Sequence, residues 1–396
     1  MSQSTQSHME HRSFAQEAGM MDEEVRICNV RHIKVAGDQS TYCGWPWTGG
    51  GIHNFGNGEL AVVFTESECR YERAEDIDHG RVDTTGREVL RRSLDHGETW
   101  PKELEVVIRD NAVPFPSLFP DGVIGDYLEL ERPRIDMGHP DAMLCAWRCF
   151  CRDPYIARDG TVGYRPICFV LRSADKGYTW ESVPNLVPNA WLTAIWGGSH
   201  YLKRPDGMLL LATSGDLAPS SDDRSVLYGS PDDGVTWYFI STIACREDAA
   251  TVGYPCMRAL PDGRILSSVG FRPLWGSWTS IVCSEDEGST WTQPRRINRW
   301  GDQASLLLLR DGRLVCVWGY RYKPYGIRGK VSADLGETWS EEFVLRDDGA
   351  SGDLGYPVLA ELDDGRLFAA YYFNVEDGTN LWGGRRFIGG TFFEIG

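Results

Sequence analysis

The chain has 396 residues and a formal net charge of −17, which argues against nucleic acid and anionic membrane surfaces as partners. It carries 44 glycines, 15 tryptophans and 16 tyrosines, a composition suited to an all-β protein rich in turns and aromatic wedges. No stretch has the length and apolarity of a membrane span.

Residues 1–24 are polar and lack the apolar core of a secretory signal. They are expected to lie outside the fold, and the location this implies is cytoplasmic. A strand is expected around Val25–Val35. Downstream, six short turns each join two hydrophobic runs: Phe55–Ala61, Asp136–Ala142, Arg204–Leu210, Leu260–Leu266, Leu309–Val315 and Leu362–Phe368. Asp-Gly or Asn-Gly between apolar alternations is the strongest short-range hairpin signal.

Between these hairpins one eight-residue motif, S-x-D-x-G-x-T-W, recurs without deviation at Ser93–Trp100, Ser173–Trp180, Ser230–Trp237, Ser284–Trp291 and Ser332–Trp339. Ser and Asp can bond nearby amides where a tight turn loses ladder bonds. Gly supplies a positive φ, and Thr-Trp begins a strand whose ring wedges between sheets. The motif is therefore a folded corner, recurring at intervals of about 50 to 80 residues, as propeller blades do. Six hairpins, five motifs and one early strand predict a single domain over 25–396. Its fold class is all-β: a six-bladed propeller of four-stranded antiparallel blades, closed by both ends of the chain.

The eleven cysteines lie mostly inside strand-like runs and read as small buried thiols. No Cys/His spacing suggests zinc, and neither a cofactor nor a metal is called for, although oxygen-rich loops such as Ser221-Asp222-Asp223 could hold calcium.

The five motifs resemble the aspartate boxes of the sialidase (neuraminidase) superfamily, whose members are six-bladed. Similar boxes occur in some exo-arabinanases, xyloglucanases and non-enzymatic receptor propellers. The resemblance covers residues 25–396 and places the active site on the face opposite the boxes. That face gathers residues before each inner strand and after each second strand, among them Trp45, Trp47, His53, Arg134, Glu66, Glu68, Tyr254, Asp302, Tyr322 and Asp353. Such a mixture of aromatics, arginines and acids suits a sugar.

The resemblance further implies a tyrosine nucleophile nine residues before the last hairpin glycine. Tyr356, in Gly355-Tyr356-Pro357, stands there before Gly365. The glutamate expected beside it is replaced by Tyr254, nine residues before Gly263. Of three arginines that bind a sugar carboxylate, Arg272 and Arg321 match two, while Trp45-Pro46-Trp47 occupies the place of the first. The acid/base aspartate falls in the segment Glu75–His79, with Asp78 first and Asp76 second; on another reading these are solvated surface acids. Trp47, Tyr254, Arg134, Glu68 and Asp353 complete the expected substrate contacts.

The reading that follows is a glycoside hydrolase cleaving a terminal sugar from a glycan or oligosaccharide, divergent from true sialidases. If Tyr356 is not the nucleophile, Glu66 or Glu68 with Asp78, or Asp78 with Asp353, could supply a carboxylate pair. Two matching Gly-Tyr-Pro segments also admit a structural reading, in which both tyrosines only pack the propeller. Carbohydrate binding without turnover, or a protein-interaction scaffold, stays open.

Overall fold

The computed structural model describes residues 25–46, 50–77, 85–113, 130–156, 162–188, 194–217, 222–245 and 251–396. Six antiparallel sheets follow one another along the chain. In the third, fourth, fifth and sixth, the inner strand is Ala194–Lys203, Val252–Ala259, Asp302–Leu308 and Gly355–Glu361 respectively. The inner strand of the first blade is split into Thr41–Gly44 and Ile52–Asn54, both paired with Leu60–Glu68. The second blade shows three strands among the described residues: Met143–Ile156, Val162–Ser173 and Asn185–Val187. Among the described residues, the inner strands of the third to sixth blades pack side by side, and that of the sixth packs on Ile52–Asn54 of the first.

The expected early strand closes that ring. Ile27–Ala36 forms the outer strand of the sixth blade, antiparallel to Phe387–Ile395, so the two ends of the chain share one sheet. A hydrophobic cluster runs across the closure from Val62 and Phe64 to Val358, Phe368 and Phe392. Burial of these side chains, each worth roughly 1.5–3 kcal/mol, holds the first blade to the sixth.

The aspartate boxes repeat the same bonds, except that in the fourth Trp291 Nε1 reaches Gly288 O through Ser241 Oγ. In the fifth, Ser332 Oγ donates to Asp334 Oδ1 at 2.7 Å and accepts from Gly336 N at 2.8 Å. Thr338 donates to Asp334 through both its amide and its hydroxyl, and Trp339 Nε1 donates to Gly336 O at 3.2 Å. The residue before each box glycine is also left-handed, at φ between 56° (Leu335) and 61° (Glu287), so each box turns on two successive left-handed residues and not on the glycine alone. The glycine itself is required twice over. Gly177 has φ +82°, and a Cβ there would stand 2.5 Å from Leu90 of the preceding blade. Hairpin arginines then reach the box of the next blade: Arg264 bonds Glu337 and Arg366 bonds Glu98.

Nine cysteines among the described residues are free, and most are buried, as small core thiols are.

Two outcomes are expected. Ser332→Ala strands the Gly336 amide in a buried turn and should lower unfolding free energy by about 1–3 kcal/mol in urea titrations. Stability should also fall in two stages with acid. Burial pushes His53 down to about 4 and His200 well below its ordinary value, with Arg258 adding to both. The unfolded chain therefore takes up protons first, and stability declines as pH drops from about 6.5 towards 4. Partial burial works the other way for Asp95, Asp175, Asp232 and Asp334, but hydrogen bonds from the box threonine and serine hold them below the ordinary carboxylate range. Their contribution is present above about pH 4 and is lost below it. A flat stability profile between pH 7 and pH 4 would contradict the first stage.

Candidate functional site

Three inner strands in succession step out of register at one place. The shifts fall between Gly253 and Cys256, between Asp302 and Ser305, and between Gly355 and Val358. Each contains a non-glycine residue in the left-handed region: Tyr254 at φ 59°, Gln303 at 59° and Tyr356 at 51°. Each also stands nine residues before its hairpin glycine, so the spacing read in the sequence is the spacing of a β-bulge. A bulge turns one side chain out of the alternating pattern and re-aims it. Left-handed backbone at a bulky residue costs on the order of 1–3 kcal/mol and persists only where its surroundings enforce it. Ser214 of the preceding blade does so for Tyr254, whose amide donates to Ser214 Oγ at 3.0 Å. Before Tyr356, Gly355 has φ +123°, and a Cβ there would meet Gln303 Oε1 at 3.0 Å and Gly319 Cα at 3.2 Å, so glycine suits both the backbone and the close approach of the fifth and sixth blades.

The bulges bring Tyr254 and Tyr356 edge to face, with ring centroids 5.3 Å apart, and place Tyr372 at 5.9 Å from Tyr356. Two arginines stand over this aromatic group. Arg272 is ion-paired through Nε with the carboxylate of Asp302 and donates from Nη1 to the Tyr254 hydroxyl at 3.0 Å. Arg321 donates from Nη2 to the Tyr372 hydroxyl at 2.8 Å and from Nε to Leu354 O at 2.9 Å, with its guanidinium 5.7 Å from the Tyr356 ring. Tyr372 in turn donates to Asp353 Oδ1 at 3.0 Å, and Asp353 Oδ2 accepts from Arg386 Nε at 2.7 Å.

Burial opposes the charge on both arginines, yet both are held above the ordinary range: Arg272 chiefly by Asp302, Arg321 chiefly by Tyr372. For Tyr356 burial raises the phenol, Tyr254 adds to the rise, and the two guanidiniums only partly offset it. At neutral pH the site therefore presents two fixed cations and a protonated Tyr356. An open cleft of about 510 Å³ lies against the two arginines, lined by Arg272, Asp302, Arg321 and Tyr322 with the loop 273–277.

The remaining expected residues take other positions. Asp78 and Trp47 lie outside the described residues. Asp76 is buried and accepts from the Glu72 and Arg73 amides at 3.1 and 3.0 Å, capping its own turn. Those bonds outweigh the effect of burial and hold its carboxyl low. Asp353 is bound by Arg386, Tyr372 and Tyr42 and acts on Arg321 through Tyr372. Glu68, at the end of its strand in the first blade, and Arg134, before the second hairpin, are both exposed. Glu66 is buried and ion-paired with Arg87, and burial raises its carboxyl. At the place of the first expected arginine, Trp45 is buried with φ 47° and packs on Trp147 at 6.2 Å.

Asp302, Tyr372 and Arg386 carry more of the site than the sequence suggested. Applying the nine-residue spacing to Gly312 points to Gln303 and so to its neighbour Asp302. Tyr372 and Arg386 lie inside strand-like sequence and leave no such signal. The Asp302–Arg272 pair gives a direct check. Asp302→Asn should lower stability by roughly 2–4 kcal/mol in chemical denaturation, less than a fully buried pair because the Arg272 side chain keeps 25% of its surface exposed. Asp302→Asn/Arg272→Met should recover most of that loss, since no uncompensated charge remains.

A family model described as a BNR repeat-like domain matches residues 157–369. No curated protein matches the chain. Among solved structures, a protein of unknown function from Dyadobacter fermentans is 24% identical, with a TM-score of 0.72, over 93% of this chain and 99% of that one. Trypanosoma rangeli sialidase in complex with the inhibitor DANA is 13% identical (TM-score 0.57), over 93% of this chain; the match spans 60% of the sialidase. Penicillium chrysogenum α-L-arabinanase complexed with arabinobiose is 12% identical (TM-score 0.58), over 94% and 99% of the two chains. At such identities these likenesses concern the fold alone. The chain belongs to the BNR repeat-like family and is a sialidase-like six-bladed propeller.

Proposed function

We propose that this propeller is a glycoside hydrolase that removes a terminal, negatively charged sugar from a glycan. The observation that carries the reading is the convergence of Arg272 and Arg321 on one cleft beside Tyr356. Asp302 balances Arg272, whereas the hydrogen bonds of Arg321 run to the neutral oxygens of Leu354 and Tyr372. The cleft thus holds a cation free to bind a carboxylate, despite the acidity of the whole chain. A clamp with Trp45 where the first arginine is expected fits a sugar other than sialic acid.

In this reading the Tyr356 oxygen attacks the anomeric carbon while the glycosidic C–O bond breaks, and Asp78 protonates the departing oxygen. The phenolic proton leaves by relay: the Tyr254 oxygen takes it up as Tyr254 passes its own proton to water, so no charge builds beside Arg272. Water then cleaves the sugar–tyrosine bond, with the aspartate now acting as base. Because burial keeps Tyr356 protonated, turnover should rise as pH climbs above neutrality.

One observation favours binding without turnover: a phenol, Tyr254, stands where a carboxylate base would be expected beside Tyr356. A single experiment separates the two readings. Sialylated and non-sialylated glycans, including glycans with terminal uronic acids, are incubated with wild type, Tyr356→Phe, Asp78→Asn and Arg321→Met, and released sugar is separated by chromatography. Hydrolysis is expected from wild type, to fall at least about hundredfold in the first two variants. In Arg321→Met, KM should rise about ten- to hundredfold, the loss of one charged hydrogen-bonded contact. Sugar affinity with no release from any glycan would establish the binding reading instead.

A further inference from the structure

Two loops carry the same tripeptide, Leu274-Trp275-Gly276 in the fourth blade, which lines the cleft, and Leu381-Trp382-Gly383 in the sixth. Both loops join a second strand to a third, so both stand on the face opposite the boxes, flanking the fifth-blade loop that carries Arg321 and Tyr322. Their leucines are the most exposed large apolar side chains among the described residues, Leu274 at 99% and Leu381 at 96%; the adjoining tryptophans are also exposed. Single exposed apolar residues are ordinary, but matched pairs on one face mark a surface that something covers.

These tips are built rather than loose. In the fourth blade, Ser277 N donates to the Tyr322 hydroxyl at 3.0 Å, Trp275 stacks on Trp278 at 5.2 Å, and Gly276 lies so close to Trp300 that a Cβ would overlap its ring. In the sixth, Trp382 N donates to Asn380 Oδ1 at 2.8 Å, and Arg386 donates to Trp382 O at 2.9 Å and to Gly384 O at 2.6 Å. Arg386 is the arginine that holds Asp353, so this tip is fastened to the network that orients Arg321. Fixing exposed apolar side chains in advance lowers the ordering cost of binding.

We propose that the two Leu-Trp tips form a site for an apolar aglycone, so that the preferred substrate is a glycoside whose sugar enters the cleft and whose leaving group is an alkyl-type chain. The inference rests on the glycosidase reading above. Leu274 and Trp275 themselves line the cleft, so whatever is joined to a sugar held at Arg272 and Arg321 leaves past them. Tryptophan alone would suit a further sugar ring as well as a chain. Leucine decides between them, because a branched aliphatic group offers neither a flat face to a pyranose nor a partner to its hydroxyls. The net charge of −17 disfavours a second copy or an anionic bilayer as the occupant and leaves a small amphiphile free to approach.

Tryptophan-emission titrations with the methyl and octyl glycosides of glucuronic acid, and with octyl glucoside below its micelle concentration, test the inference. The octyl ligand should bind at least about tenfold more tightly than the methyl ligand, the effect of covering one or two leucines. That ratio should collapse towards one in Leu274→Ser/Leu381→Ser, and octyl glucoside should bind with the same dependence on the two leucines. Arg321→Met reports on the sugar reading separately, through the charged head alone. A wild-type ratio near one, a ratio unchanged in the double serine variant, or no binding of either octyl ligand would overturn the aglycone site. A leucine-dependent ratio without any Arg321 dependence would uphold the tips and count against the anionic sugar. A concentration-dependent dimer dissolved by Leu381→Ser, with no octyl preference, would assign the tips to self-association and overturn the proposal.

Discussion

The candidate chemistry of this protein hangs on a one-residue step in three adjacent inner strands. Without the bulges at Tyr254, Gln303 and Tyr356, strict alternation would send these side chains between the blades, where a large ring packs but meets no substrate. The step requires left-handed backbone at residues that resist it, and isolated strands would relax by slipping register. Here they cannot. Each inner strand is clamped between two neighbours, and the ring of neighbours is sealed where Ile27–Ala36 pairs with Phe387–Ile395. The closure between the ends of the chain and the geometry of the tyrosines are one mechanical problem. A propeller that opened at its sixth blade would release the strand that carries Tyr356.

Electrostatics within the ring follows a similar division of labour. Two chains of polar contacts converge on Tyr356, Asp302–Arg272–Tyr254 and Arg386–Asp353–Tyr372–Arg321. In the first, the carboxylate touches the guanidinium and cancels much of its charge. In the second, a phenol stands between carboxylate and guanidinium, so Arg321 is oriented by an acid without being neutralised by it. Orientation and neutralisation are thereby separated, and a strongly acidic chain keeps one cation available in its cleft. The same Arg386 fastens the loop that presents Leu381, so positioning of the cation and of the rim are mechanically linked.

Legibility in the sequence differed by kind of interaction. Box and hairpin were readable because each is local: Ser93, Asp95, Gly97 and Thr99 bond one another within seven residues, and a pattern of that reach survives as a motif. The blade count followed, since repetition of a local device is itself visible. Tyr254 and Tyr356 are legible through their spacing from hairpin glycines, which a β-strand converts into height along the channel at about 3.3 Å per residue, and Arg272 and Arg321 through their place just after the second strand of a blade. Residues whose role depends on a neighbour from another blade left no comparable trace. Asp302 meets Arg272 across 30 positions, and Asp353 meets Arg386 across 33. Nothing in the local sequence distinguishes Tyr372 from Tyr371, yet one faces Arg321 and the other bonds Thr391 in the core.

The two faces of the propeller therefore answer to different constraints. On the box face, five copies of one motif fulfil one mechanical role, and any departure in them would loosen a corner. On the opposite face the corresponding positions of successive blades are Tyr254, Gln303 and Tyr356, alike in backbone and unlike in chemistry. This arrangement lets the scaffold stay constant while the site changes by single substitutions at bulges whose backbone is already fixed. Exchanging a carboxylate for Tyr254 needs no rebuilding of the strand; it needs only a partner for the new hydroxyl, which Arg272 provides from the next strand of the same blade. Likeness of fold to a sialidase and to an arabinanase is what such a scaffold yields, and specificity must be read from the residues at its bulges and along its rim.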